Sequence, residues 1–569
     1  MYITRIKIAV LSLMILAGGY GCSSKEPGNK QEQPEQPAPD KPVEADIKGS
    51  FAGKFVRYNR GDSAPQTIVT QWCDTVWRND RVHQQLVLWT DKAAVSSISY
   101  KINPLHNGSN TIAADNLRLR FVKYITGDKQ ALTCGGHTSR TNAYVGDALS
   151  EEYITKVASD DPLKIWITAD IPSDTPAGVY EGTIEVLVSG EKALEFGVKF
   201  LVADHTLPDP REWTFHLDIW QFPFHLHSLC ARNGIKFDMF QSAYFMLMEP
   251  FYELLADAGQ SAVTTYIKDG AFNTGQTMID WTMLEDGTWA FDYTNFDAFV
   301  RFMEDVGIDK QINCLSPAGW NESIGYTDAS DGTYKYMELP IESELYATVW
   351  DSFLTDFRKH LTEKGWMNKA VLYMDEIPQE KMKRVVEVIR NNGADWKLGL
   401  AGSEIDASIE REMYDYSTII GYNRKSTNNT VATFYTSCSQ SHPNNYVTSE
   451  TSPAEMVWMA WHCMAKGFNG YLRWAFDYWT QTDPLNVQDG SNSAGDFNMI
   501  YRTANNMQSQ PISSIRFELL REGIQDFEKV RILGSGNIRS VLSNFADPTA
   551  KNAETAVRQA QSQLKKSSL

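Results

Sequence analysis

Short apolar runs, and the turn residues between them, divide this chain into stretches of different period. From residue 47 to 206 the runs are brief and rich in Val, Ile, Thr and aromatic side chains, as in Gln84–Thr90, Lys164–Ala169 and Tyr180–Ser189, with Gly, Asp, Asn and Pro between them. That pattern predicts strands joined by turns, and the span as a whole predicts an all-β sandwich. At Leu207–Trp213, which reads LPDPREW, two prolines precede a change of rhythm. Apolar runs then alternate with helical stretches, which predicts parallel βα units. Strands are expected at Phe215–Trp220, Ala262–Ile267, Gln311–Leu315, Ala370–Met374, Lys397–Leu400, Thr418–Tyr422, Thr433–Thr436 and Gly470–Trp474. Helices are expected at Ala243–Ala258, Phe296–Val306, Leu345–Lys364, Gln379–Asn391 and Ala454–Lys466. Eight such strands within about 260 residues predict a (β/α)8, TIM-like barrel over 207–535. A helix within Pro511–Gly534, opened by Pro, Ser and Ser and closed by Gly, ends that span. Residues 536–569 form a C-terminal helical tail with a polar helix at Asn552–Lys565.

The first 46 residues have another character. Arg5 and Lys7 precede an apolar segment, Ile8–Ala17, too short to span a bilayer, and Gly21-Cys22 follows. This resembles a lipoprotein signal peptide over 1–22, with Cys22 as the lipidated residue; Gly19 departs from the usual Leu-like start of that box. An ordinary secretory peptide with an incidental Cys is the alternative. Residues 23–46 are rich in Pro, Glu, Gln and Lys and nearly free of large apolar residues, so they are expected to be a disordered tether. These features predict a bacterial cell-envelope location, lipid-anchored on an extracytoplasmic face, with membrane contact only through the anchor. The formal net charge of -18 argues against nucleic-acid partners. Six cysteines after Cys22 are scattered singly, without metal-ligand spacing. Buried free thiols are expected for most, and an oxidising compartment leaves room for one or two disulfides.

The run Val371–Pro378, VLYMDEIP, carries the chemistry. An apolar strand ends in Asp375 and Glu376, with a proline at the entrance to the next helix. Catalytic side chains of such barrels sit at the C-terminal ends of strands, and glycosidic cleavage uses two carboxyls, one protonated and one ionised. Neighbours on a regular strand face opposite ways. For both acids to reach one sugar, the backbone must leave strand geometry at Asp375 or Glu376. The other reading is a pair of solvated acids favoured by a helix N-terminus.

Several stretches, in this order and spacing, resemble glycoside hydrolase family 123, the N-acetyl-β-galactosaminidases. They are Val76–Thr90, Ile171–Val186, Leu207–Phe224, Tyr373–Glu376 (YMDE), Gly470–Trp479, Gly495–Asp496 and Pro511–Glu528. The resemblance implies release of terminal β-linked N-acetylgalactosamine with retention, the substrate's 2-acetamido oxygen serving as nucleophile. It also implies that Asp375 orients that group and that Glu376 is the general acid and base. The partner would be a glycoconjugate with a terminal N-acetylhexosamine. Another hexosaminide, a β-galactoside, or a non-enzymatic glycan-binding lipoprotein stay open as alternatives. Candidate substrate-binding residues are Asp218 and Trp220 after the first strand, Tyr422 and Asn423 after the sixth, and Trp474 and Trp479 after the eighth, beside Arg473 and Asp477. For each, core or salt-bridge duty is the competing role. Arg516, Glu518, Arg521 and Glu522 share one helical stretch, where mutual ion pairing at helical spacing is expected. His216, His225 and His227 cluster without a completing acid, so no metal is expected. No nucleotide-binding motif appears, and no cofactor is expected.

Overall fold

A computed structural model of the chain describes residues 46–569 except 133, 135–138, 273, 425–426 and 428–429. The expected signal, Cys22 and nearly all of the tether lie outside the described residues.

Between Lys48 and Thr206 the chain forms two sheets. One runs Lys48–Ala52, Arg81–Trp89, Leu163–Asp170, Leu117–Asp128 and Asn142–Ser150 in hydrogen-bonded order; the other is built on Gln71–Arg78, Glu191–Thr206 and Gly178–Val188. Phe51, Trp72, Val76, Leu86, Phe121, Ile165, Tyr180, Phe196 and Phe200 form one buried cluster of this region. This is the expected β region, with one difference. The first sheet continues through Pro511–Ser514 and Tyr501–Arg502, which come from far down the chain, within the span expected to be barrel.

Eight parallel strands follow: β1 (His216–Ile219), β2 (Ala262–Tyr266), β3 (Gln311–Leu315), β4 (Ala370–Asp375), β5 (Lys397–Gly402), β6 (Met413–Ile419), β7 (Val431–Tyr435) and β8 (Gly470–Arg473). Backbone ladders join β2 to β3 and on in sequence to β8, and β8 pairs with β1. All five residues of β2 and all five of β3 are buried, as parallel strands covered on both faces are. The seam between β1 and β2 is closed largely by side-chain amides. Gln221 donates its backbone N–H to Thr264 Oγ1 (3.1 Å) and accepts from Thr264 N (2.8 Å), while Gln260 accepts from Ile219 N (3.0 Å). These groups satisfy backbone donors that a ladder would otherwise pair.

Helices α1 (Ser242–Ala256), α2 (Thr294–Val306), α3 (Glu344–Lys364), α4 (Gln379–Asn392) and α5 (Ala454–Lys466) lie close to their expected positions. Ser343 caps α3 through Tyr346 N, and Gly365, at φ 76°, ends it in the left-handed conformation. The sixth strand is the one displaced: it spans Met413–Ile419, not Thr418–Tyr422. Its inward positions are Asp415 and Ser417, and its apolar pair Ile419-Ile420 lies at the strand's end, so the apolar signal pointed past it.

The helix at the end of the barrel, α6 (Ile515–Leu533), starts after the strand Pro511–Ser514 and is capped by Ser514. Arg516, Glu518, Arg521 and Glu522 do not pair with one another as expected. Arg516 binds Asp147 (2.8 Å), Glu518 binds Arg120 (2.6 Å), Arg521 lies 3.3 Å from Asp257, and Glu522 binds Lys54 (2.6 Å). Three of the four partners belong to the β region. The final helix α7 (Ala553–Ser567) packs on α5 and α6. Cys134 and Cys438 form a disulfide across 304 positions; Cys230, Cys314 and Cys463 are buried thiols and Cys73 is exposed. No described helix is long and apolar enough to cross a membrane.

Candidate active site

Asp375 is the last residue of β4, with its register partner Ala401 on β5. Inside the barrel, Tyr373 stands one inward position below it. A Cβ on the neighbouring Gly399 would fall 2.3 Å from the Tyr373 ring, so only glycine leaves room for that ring. Glu376 donates its backbone N–H to Ala401 O (2.8 Å), and its φ is 50°. The chain therefore leaves strand geometry at Glu376, in the left-handed region that is costly for a residue with a side chain. Ile377 is buried and Pro378 starts the turn into α4.

The two acids have unequal surroundings. Asp375 is partly covered and Glu376 is exposed. Burial, and then the charge of Glu376, hold the Asp375 carboxyl well above the usual carboxylate range. Glu376 Oε1 accepts a hydrogen bond from the Tyr435 hydroxyl (2.8 Å), which reaches across from the end of β7. Burial and the Glu376 charge raise the affinity of that hydroxyl for its proton, so it stays a donor. On the other side, in the loop after β3, the Trp320 indole N–H donates to the Asp375 backbone carbonyl (3.2 Å), while the side chain is 72% exposed. Neither Tyr435 nor Trp320 was among the sequence candidates. Tyr435 lay in an expected strand with no motif to single it out, and Trp320 lies in a loop, where periodicity carries no information.

The other candidates separate by burial. Trp474 is half-buried at the end of β8, packed against Phe222, Tyr478 and Phe497. Tyr422 and Asn423 are exposed in the loop after β6. Asp218, Trp220 and Trp479 are buried. Trp479 donates to Ile500 O (3.2 Å) and stacks under Arg502, and Trp220 donates to Asp218 (3.3 Å). Arg473 is fully buried and paired with Asp496. Asp477 holds Phe222 N (2.7 Å) and the Tyr252 hydroxyl (3.1 Å).

Deeper in the barrel, ligand atoms of His216, Asp218 and Asp415 lie within 4.8 Å of one another, close enough that they could hold a small cation. Asn313 donates to Asp218 (2.9 Å) and Gln311 to Asp415 (2.7 Å). Burial, together with the charge of Asp415, pushes Asp218 up to about 8, so a bound proton is a second way for this cluster to balance its charge. Two surface hollows of about 730 and 750 Å³ lie elsewhere, one beside α1 and α2 and one between the β region and the barrel. Both are lined by residues of mixed charge, and neither includes the acids at the end of β4. The chemistry therefore places the candidate site at the barrel mouth rather than in either hollow.

Comparisons with known families match both regions of the chain. Residues 223–533, more than half of the chain, match the model of the glycoside hydrolase 123 catalytic domain, and residues 51–188 match that of the glycoside hydrolase 123 N-terminal domain. Among solved structures, a family 123 glycoside hydrolase from Clostridium perfringens, described in terms of glycolipid glycan hydrolysis, superposes with a TM-score of 0.81. It is 22% identical, over 91% of this chain and 97% of that one. A β-D-glucuronidase from Dictyoglomus thermophilum reaches only 0.30, at 10% identity over 78% of this chain and 70% of the other. Curated protein sequences give no match. With the catalytic-domain model matched over most of the barrel and the N-terminal model over the β region before it, this chain belongs to glycoside hydrolase family 123.

Proposed function

We propose that this glycoside hydrolase releases terminal β-linked N-acetylgalactosamine with retention, the sugar's own 2-acetamido oxygen acting as nucleophile. The observation that carries the reading is the pair Asp375–Glu376 on consecutive residues, one carboxyl enclosed and one open. An enzyme nucleophile and its acid partner flank the scissile bond from two sides, roughly 5–5.5 Å apart. Acids on consecutive residues approach from one wall and suit a division of labour. The free pair holds a proton on Asp375; as the substrate binds, that proton passes to Glu376, and Asp375, now ionised, accepts the acetamido N–H and holds that group so that its oxygen attacks the anomeric carbon. The bond to the leaving oxygen breaks as Glu376 gives up its proton to it. Glu376 then takes a proton from the water that opens the cyclic oxazolinium intermediate, and two inversions restore the original configuration. Tyr435 steadies the Glu376 carboxyl through both steps.

The Clostridium relative acts on glycolipid glycans, and a glycolipid or related glycoconjugate is the substrate class proposed here. The reading includes a lipid anchor at Cys22 and an extracytoplasmic location. The Cys134–Cys438 disulfide supports an oxidising compartment. The test is hydrolysis of 2-acetamido and 2-hydroxy aryl glycosides of galactose and glucose configuration by the wild-type protein. Turnover of the 2-acetamido galactoside with none of the 2-hydroxy form is expected. Equal rates on the two would exclude substrate assistance and leave a conventional galactosidase.

A further inference from the structure

Trp320 is out of place as a packing residue. At 72% exposure it is the one exposed tryptophan among the described residues, yet the loop that carries it is held firmly. Buried Lys268 donates to the carbonyls of Asn321 (2.9 Å) and Ser323 (2.8 Å). The Tyr346 hydroxyl donates to Pro317 O (3.1 Å), and Glu322 is paired with Lys381 and accepts from Ile341 N (2.9 Å). The indole N–H is itself engaged, on the Asp375 carbonyl. What is left open is the flat apolar face, fixed beside the catalytic pair. Exposing so large an apolar surface forgoes the gain of burying it, and a rigid aromatic ring with its polar atom already satisfied is the usual form of a ligand platform.

Its position indicates which part of the substrate it meets. Asp375 sits inside the barrel mouth, and the sugar being cleaved must lie over it, enclosed by the strand ends. A side chain as exposed as Trp320 stands on the rim, in the loop after β3, next to β4 and on the side away from Tyr435. The leaving group departs past Glu376 toward the rim.

We propose that Trp320 is the platform of a leaving-group subsite that takes a pyranose ring, stacking its apolar C–H face on the indole. Trp320 is thus a specificity-determining residue for glycans over small aglycones. The proposal rests on the glycosidase reading above and on Glu376 as its acid.

The test compares two substrates that share the cleaved sugar: a disaccharide, whose leaving group is a pyranose, and the glycosyl fluoride, which has no leaving-group ring. The readout is the ratio of their kcat/KM values. In Trp320→Ala the ratio of disaccharide to fluoride should fall by about 10–100-fold, the size of a lost aromatic anchor. Trp320→Phe keeps a ring but loses the N–H bond to Asp375, and should hold the ratio within about 3-fold. An unchanged ratio in Trp320→Ala would overturn the subsite. So would an equal fall in Trp320→Phe, which would make the hydrogen bond, not the ring, the function of the residue. A wild-type protein that cleaves neither substrate would instead overturn the glycosidase reading, and the subsite with it.

Discussion

Two neighbouring carboxyls serve one substrate only if the chain turns between them, and at Glu376 it does so at φ 50°. Such a conformation costs about 1–3 kcal/mol and persists where its surroundings hold it; here the Ala401 carbonyl and the Tyr435 hydroxyl do so. The two acids should fail differently. Glu376→Gln removes the proton donor, so substrates with poor leaving groups should lose about 100–10,000-fold in kcat/KM while activated aryl glycosides lose far less. Asp375→Asn should hurt both kinds, because the acetamido group must be oriented whatever leaves; steady-state kinetics on a leaving-group series separates the two patterns. Asp375 also has a signature in stability. Its raised proton affinity means that the fold favours the neutral form, so its contribution is fully present below the unfolded carboxylate value of about 3.9 and is lost as pH rises toward the folded value. Asp375→Asn should therefore gain in Tm over wild type as pH rises from 4 to 8. A gap between the two melting curves that does not change with pH would remove this account of the site.

At the scale of elements, seven of the eight barrel strands were readable close to their spans, β3 among them although Gln311 and Asn313 point inward, and the sixth was not. β2 and β3 matched their expected spans to within one residue. β6 was displaced because its apolar pair Ile419-Ile420 lies at the strand's end, while Asp415 and Ser417 point into the interior network of His216, Asp218, Asn313 and Gln311. α6 has a similar history. The spacing of Arg516, Glu518, Arg521 and Glu522 was visible, but helical spacing says which side chains could meet on one helix and nothing about a sheet that arrives from 400 positions earlier. Asp147 is the most consequential of the distant partners: it is fully buried, accepts from Arg516 (2.8 Å) and from the Tyr501 hydroxyl (2.6 Å), and lies 3.5 Å from Arg57. Asp147→Ala leaves two buried guanidiniums without their counter-charge and should cost about 3–5 kcal/mol, read from chemical denaturation. A loss below about 1 kcal/mol would mean that water repairs the gap.

Over the whole molecule, the β region and the barrel share a sheet, a set of buried ion pairs and one continuous apolar core that includes Phe55, Leu149 and Trp166 together with the barrel residues. Residues 207–569 expressed alone should therefore be insoluble or lack a cooperative melt, since Pro511–Ser514 loses its strand partner and α6 loses Lys54, Arg120 and Asp147. A melt equal to that of the parent chain would show that the barrel stands by itself. Cys22→Ala should move the protein from the membrane fraction to the soluble one with its activity on soluble substrates intact; full retention on membranes would exclude the proposed anchor. The sequence by itself determined the fold class, most strands and helices, and the carboxyl pair at the end of β4, because these follow from local pattern: apolar runs, turn residues, and acids placed where a strand stops. Only the tertiary structure decided the positive φ at Glu376, the Tyr435 and Trp320 contacts around the acids, the burial of Asp218, Trp220 and Trp479, and the pairing of Cys134 with Cys438. Each of these depends on which distant segment arrives beside a residue, and that is set by packing the whole chain, not by any period along it.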